Sequence, residues 1–245
     1  MKISVKNAQE IAIMREGGKI LKKVLNKVAE IAEVGKSTGE LDREAEEMIL
    51  AAGAFPSFKG YQGFPASICA SINDEVVHGI PGSRVLQSGD ILKLDCGVLY
   101  KGFHTDKALS VIVGASSPEK EKLLEVTKSS LEFGASKIKA GAALGEISSS
   151  IQDYVEKAGF NVIRDLVGHG IGREIHEDPP IPNFGYKHSK PILKSGMTLA
   201  IEPMVSAGDY RVSIDGWKVV TIDHSLTGHF ENTFLVTDGG HEILT

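Results

Sequence analysis

Apolar positions recur at three- and four-residue steps over the first part of the chain. Ile11, Met14, Gly18, Leu21, Leu25, Val28 and Ala32 fall on one helical face, which predicts a helix from Ala8 to Ala32. Lys19, Lys22, Lys23 and Lys27 mark the opposite face, the pattern of a solvated surface. Ser37 with Glu40 makes a capping box that opens a second helix through Leu41, Ala45, Met48, Ile49 and Ala52, stopped by Gly53. Ser117-Pro118 starts a third, with Leu124, Leu131, Ala135 and Ile138 inward and Gly141 at its end. A fourth covers Leu144 to Ala158, with Ile147, Ile151, Tyr154, Val155 and Ala158 inward and Gly159 as terminator.

Strand signals lie between and after these helices. Ile91 to Tyr100 and Phe103 to Val113 flank a short turn containing Lys101-Gly102. Met197 to Val205, Tyr210 to Ile214, Trp217 to Ile222 and Phe230 to Val236 follow, with Asp215-Gly216 as a hairpin turn. Helices interspersed with hairpins predict an α+β fold rather than a doubly wound sheet. No linker or low-complexity segment divides the chain, so residues 1–245 read as one domain. There is also an internal echo. Ser88-Gly89 leads through an apolar strand to Asp95, and Ser195-Gly196 leads through another to Glu202; each is followed by a strand carrying an acid, Asp106 and Glu231. Two related αβ halves facing each other would produce this pattern.

Composition narrows the chemistry. Apolar residues at 42% and charged residues at 24% exclude a disordered chain, and a net charge of -5 argues against a dedicated nucleic-acid binder. Two cysteines, Cys69 and Cys96, are too few for a disulfide framework, and each reads as a small buried residue. A metal, if held, is therefore held by oxygen and nitrogen. The first residues carry no signal-peptide pattern, and no apolar stretch reaches the ~18 residues of a membrane span, so the expected compartment is the cytoplasm.

The candidate chemistry begins with Asp95 and Asp106. A turn at Tyr100-Lys101 would set them directly opposite each other, an arrangement that requires a shared proton, protonation or a bound cation. His169 sits in Gly168-His169-Gly170-Ile171-Gly172, where glycines allow a sharp bend and leave the imidazole open to a cavity. His176 stands just before a rigid Pro179-Pro180 turn. Glu202 ends an apolar strand, and Glu231 stands beside Phe230 at the start of another. Each acid alone reads as a surface or capping residue. Together, four carboxylates and one imidazole suit two divalent cations with bridging carboxylates, with Mn(II), Fe(II), Co(II) and Zn(II) all compatible. Such a pair can activate water and polarise a carbonyl, as amide hydrolysis needs.

At these residues the chain resembles the type I methionine aminopeptidases of the pita-bread metalloprotease family. The resemblance runs through Ser71-Ile72-Asn73-Asp74-Glu75-Val76-Val77-His78-Gly79-Ile80-Pro81, Asp95, Gly102 to Asp106, Gly168 to Gly172, His176-Glu177, Ile201 to Met204, Asp215-Gly216-Trp217 and Glu231. It implies a pita-bread fold, two pseudo-symmetric αβ halves around a curved antiparallel sheet. It further implies two divalent ions, with Asp95 chelating one, Asp106 and Glu231 bridging, and His169 and Glu202 completing the other.

By the same resemblance, a hydroxide bridging the ions attacks the peptide, with Glu202 as general base. His78 contacts substrate near the scissile bond, His176 stabilises the oxyanion, and Tyr61, Phe64, Cys69 and Trp217 line the methionine pocket. Departures stand at Gly97, where a hydroxyl-bearing residue is common, at Gln62, where histidine is common, and at Ile175, where an aromatic is common. The implied activity is release of methionine from peptides and nascent chains with a small second residue. The implied enzyme is a cytoplasmic monomer with no membrane or specific nucleic-acid partner, and the basic face of the first helix is a candidate transient ribosome contact. A prolidase-like Xaa-Pro peptidase and a non-catalytic binding module are the alternative readings.

Overall fold

The computed structural model describes residues 3–245; Met1 and Lys2, part of the segment read as lacking a signal pattern, lie outside them. Helix α1 (Ala8–Ile31) opens on an Asn7/Glu10 capping box, and α2 (Thr38–Ala51) on the predicted Ser37/Glu40 box. Helix α3 (Pro118–Ala135) begins at the predicted Ser117-Pro118 but stops well short of Gly141, leaving Ile138 buried in the turn that follows. In α4 (Leu144–Lys157) Ile147, Ile151 and Val155 face the core, whereas Tyr154 lies at the surface with its ring 5.6 Å from that of Phe133. None of these helices is long and apolar enough to cross a membrane.

Between α2 and α3 lie β1 (Phe55–Pro56), β2 (Ile68–Ile72), β3 (Glu75–Val77), β4 (Ile91–Tyr100) and β5 (Phe103–Ile112), and after α4 come β6 (Asn161–Val162), β7 (Val167–Gly170) and β8 (Glu177–Pro182). Then come β9 (Thr198–Ile201), β10 (Met204–Ser206), β11 (Val212–Asp215), β12 (Lys218–Thr221), β13 (Thr227–His229), β14 (Glu231–Val236) and β15 (His241–Ile243). The main sheet is antiparallel in the order β1-β4-β5-β14-β9-β7-β8, with β2 added to β4 and β15 to β14. Two smaller sheets, β13-β10-β6 and β11-β12-β3, lie beside it. In the β11–β12 hairpin Asp215 pairs with Lys218, so the turn residues are Gly216-Trp217, one place later than predicted.

Alternation along the strands separates the two faces of the main sheet. Leu92, Leu94, Cys96 and Val98 of β4 pack with Leu21, Leu25, Leu41 and Ile49 of α1 and α2 in one core. Leu199, Ile201 and Phe234 pack with Leu123, Leu131, Ile147 and Ile151 of α3 and α4 in another. Each half therefore lays two helices against its own strands, and the halves meet where β5 pairs with β14. The sequence echo has a backbone counterpart: Gly89 and Gly196, before β4 and β9, take left-handed φ values of 92° and 88°.

Candidate metal and active site

Strand register places the acids on the sheet face turned away from the helices. Across the β4–β5 hairpin Asp95 pairs with Ala108 and Gly97 with Asp106. The two acids are diagonal neighbours and not directly opposite, because the turn is Lys101-Gly102 rather than Tyr100-Lys101. Ala108 in turn pairs with Glu231 across β5–β14, and Asn232 pairs with Ile201 across β14–β9, which brings Glu202 beside Glu231. His169 pairs with Ala200. Paired residues share a face and alternate residues return to it, so Asp95, Asp106, Glu231, Glu202 and His169 converge.

Two local features sharpen that convergence. The predicted strand from Met197 to Val205 is broken at Glu202-Pro203: β9 stays in the main sheet and β10 joins β13 and β6. Proline removes the ladder N–H at the break, leaving Glu202 at a strand end. The glycines around His169 serve close packing within a strand rather than a sharp bend. A Cβ at Gly168 would stand 2.4 Å from the Ala200 carbonyl oxygen, and one at Gly170 would stand 2.2 Å from that of Asp178. Pro179-Pro180 likewise lies inside β8, not in a turn.

Electrostatics point to cations. Burial pushes Asp95 up to about 7, with Glu202 adding to it and His229 opposing; burial reinforced by the neighbouring acids drives Asp106 and Glu231 well above the usual carboxylate range, and burial pushes Glu202 up to about 8. Among the described residues, Asp95 Oδ1 and Glu231 Oε1 are shut off from solvent and accept no hydrogen bond. Buried acceptors without donors call for a positive charge, and the oxygen and nitrogen set fits divalent cations. Asp106, His169 and Glu231 offer ligand atoms all within 4.8 Å of one another, as do Glu202, His229 and Glu231. His169 Nδ1 lies 2.9 Å from the Gly170 carbonyl, so Nδ1 carries the proton and donates, and the Nε2 lone pair faces the acids. Burial lowers this imidazole to about 3, which keeps it neutral and able to ligate.

The cluster opens into a cavity of about 340 Å³ that is also lined by Tyr61, Phe64, Cys69, Trp217, His78 and His176. Phe64 and Trp217 meet edge to face with ring centroids 5.3 Å apart, and Cys69 pairs with Asp95 across β2–β4. Tyr61 hydroxyl and His176 Nδ1 share a hydrogen bond of 2.9 Å, and the His176 and His169 rings lie 4.4 Å apart. His78 holds a left-handed φ of 60°, and a Cβ on Gly79 beside it would stand 2.5 Å from the Ala70 carbonyl oxygen. Phe58 and Leu166 line the same cavity without any sequence signal of their own, and Met204, from the Ile201 to Met204 stretch, lines it too. His229 was equally silent, although it stands two places before Glu231.

The model of metallopeptidase family M24 matches residues 12–238. The sequence is 53% identical over 245 residues to the methionine aminopeptidase of Clostridium perfringens, covering 99% of this chain and 98% of that protein. The chain belongs to the methionine aminopeptidases of metallopeptidase family M24. The crystal structure of methionine aminopeptidase from Thermotoga maritima superposes with a TM-score of 0.98 at 44% identity, covering 100% of this chain and 99% of that one. A prolidase from Pyrococcus furiosus shares the fold at a TM-score of 0.80 and 23% identity, with 98% of this chain matched to 65% of that one. The architecture is thus the pita-bread fold of the M24 enzymes, with its helices outside a mixed set of antiparallel strands.

Within that family frame the three departures have different physical standing. A Cβ at Gly97 would stand 2.7 Å from Ser57 Cβ and 3.0 Å from Ser57 Oγ, so Ser57 fills the space a side chain at 97 would need. The Ser57 hydroxyl bonds His104 Nδ1 at 2.8 Å. Gln62 lines the cavity from a left-handed backbone position, φ 47°. Ile175, which stands where an aromatic is common, is buried and is not among the residues that line the cavity.

Proposed function

We infer that this chain hydrolyses the N-terminal methionine from peptides and nascent proteins with a small second residue, using two divalent cations. One observation carries the reading: the carboxylate and imidazole cluster and the apolar group Tyr61, Phe64, Cys69 and Trp217 line one continuous cavity. Aromatic walls with a soft sulfur suit a thioether side chain. Asp95 would hold one cation, Asp106 and Glu231 would span both, and His169 and Glu202 would complete the second. When bound, the cations supply Lewis acidity toward the scissile carbonyl and lower the pKa of water; Co, Mn, Fe(II) and Zn all fit the donors.

The remaining steps belong to side chains. Glu202 takes a proton from the attacking water and delivers it to the leaving amine, the double duty of a general base that becomes a general acid. His176, steadied by the Tyr61 hydroxyl, donates to the oxygen on which negative charge develops. His78, fixed in its left-handed conformation, meets the substrate beside the scissile bond. Residues 1–245 act as one catalytic domain, a cytoplasmic monomer with no membrane or specific nucleic-acid partner. Lys19, Lys22, Lys23 and Lys27 on α1 form its transient contact with the ribosome.

The decisive experiment compares turnover of Met-Ala-Ser and Ala-Pro-Ala by Mn(II)-loaded protein. Methionine should be released from the first, little should happen to the second, and a chelator should abolish the activity. Preference for the proline peptide would replace this reading with a prolidase-like one, and no turnover of either would leave a binding module.

A further inference from the structure

His229 is buried beside the cluster, yet none of the roles above uses it. Its backbone is held on both sides by one hydroxyl: Ser110 Oγ accepts from the His229 N–H at 3.0 Å and donates to the His229 carbonyl at 2.7 Å. The side chain is 1% exposed, and among the described residues neither ring nitrogen has a hydrogen-bond partner. A neutral imidazole always carries one N–H, and leaving a buried donor unpaired is costly. Its Nε2 points at Glu202 Oε2 from 3.5 Å, a few tenths of an ångström beyond an ordinary hydrogen bond.

Glu202 is bracketed by two imidazoles with opposite needs. On one side, Oε1 lies 3.7 Å from His169 Nε2. His169 has already committed its N–H to the Gly170 carbonyl, so two acceptors face each other there, and a cation is what reconciles them. On the other side, Oε2 faces His229 Nε2, which among the described residues has no other acceptor for its proton. The carboxylate is therefore divided: Oε1 belongs to the cation and Oε2 to a donor.

We propose that His229 is a positioning residue for Glu202, donating its Nε2–H to Oε2 and thereby fixing Oε1 toward His169 and the cation they share. The inference rests on the metallopeptidase reading of the cluster. It adds a second imidazole, supplied by β13, to the groups that set cation affinity and the orientation of the general base.

The test compares wild type, His229→Ala, His229→Gln and His229→Met. All are stripped of metal and titrated with Co(II), with calorimetry, the visible Co(II) spectrum and turnover of Met-Ala-Ser read together. Gln and Met both fill much of the ring's space, and only Gln donates. His229→Ala and His229→Met should bind Co(II) about 10–100-fold more weakly, with an altered spectrum. They should lose kcat with little change in KM, and His229→Gln should recover most of the affinity and rate. Wild-type affinity and spectrum in the Ala or Met variant would overturn the proposal, as would a Gln variant no better than Met. Should Ala fail to fold, the Gln and Met pair decides alone. Wild-type protein that takes up no Co(II) would instead overturn the metallopeptidase reading itself, so the two failures are distinguishable.

Discussion

Gly97 shows how a single residue can carry a constraint that its own side chain does not express. It sits opposite Asp106 in the β4–β5 hairpin, and the space its Cβ would need is taken by Ser57. Gly97→Thr should therefore destabilise the protein by about 1–3 kcal/mol, the usual range for overpacking a filled site. The pair Gly97→Thr with Ser57→Gly should recover part of that loss, because the two side chains compete for one volume. Urea denaturation of the four proteins in this cycle checks it: additive losses would mean that the crowding lies elsewhere. At this scale the sequence was a good guide to which residues meet but a poor one to how they meet. Asp95, Asp106, His169, Glu202 and Glu231 were legible from residue type and motif. The diagonal placement of the two aspartates was not, since it depends on whether the turn falls at Tyr100-Lys101 or at Lys101-Gly102. His229 was missed because nothing in its flanking residues marks a buried, unpaired ring.

At the scale of elements, the loop between β7 and β8 is tied down by Glu177, the neighbour of His176. Glu177 accepts from Ser4 Oγ and Lys6 Nζ, each at 2.6 Å, and from the Arg173 N–H at 2.7 Å. Burial works to raise its pKa, but the hydrogen bonds from Lys6 and Ser4 prevail and hold it below the usual carboxylate value. A carboxylate whose folded pKa is depressed contributes stability that is present above its unfolded pKa, near ~4.3, and is lost as pH falls through the folded value. Glu177→Gln also leaves the buried Lys6 ammonium without its counter-ion, so at pH 7 it should cost on the order of 3 kcal/mol. The difference from wild type should shrink as the pH is lowered below ~4. Denaturant midpoints at pH 7 and pH 3.5 test this, and a gap that does not narrow in acid would assign the loss to packing rather than charge. The long elements that frame this loop follow from sequence periodicity: α1, α2 and α4, the start of α3 and the β4–β5 hairpin fall close to their predicted bounds. The short strands β2, β3, β7 and β8 do not. β2 is buried throughout and shows no alternation, β3, β7 and β8 carry glycines, prolines or charges, and pairing is set by partners far along the chain, as in His169 against Ala200.

For the molecule as a whole, the two helix-backed cores lie on one side of the main sheet and the acids lie on the other, along the seam where the halves meet. Each core holds its own half together, whereas the β5–β14 seam places Asp106 and Glu231, both buried, in the same cluster. Concentrated negative charge there opposes closure of the two halves unless protons or cations neutralise it. The cation thus acts on the whole fold as well as on the reaction. A ligand that binds only the folded state at 100 times its dissociation constant adds about 2.7 kcal/mol. In a chain of this size that corresponds to a rise of roughly 5–10 °C in the melting temperature. Stripping the protein with a chelator should lower its Tm by that amount, and Mn(II) should restore it. Asp106→Asn separates this mechanism from nonspecific salt effects. With one buried negative charge removed, the metal-free variant should melt at or above metal-free wild type, and Mn(II) should no longer raise it. If calorimetry instead shows the variant gaining as much from Mn(II) as wild type does, the seam is not where the cation binds.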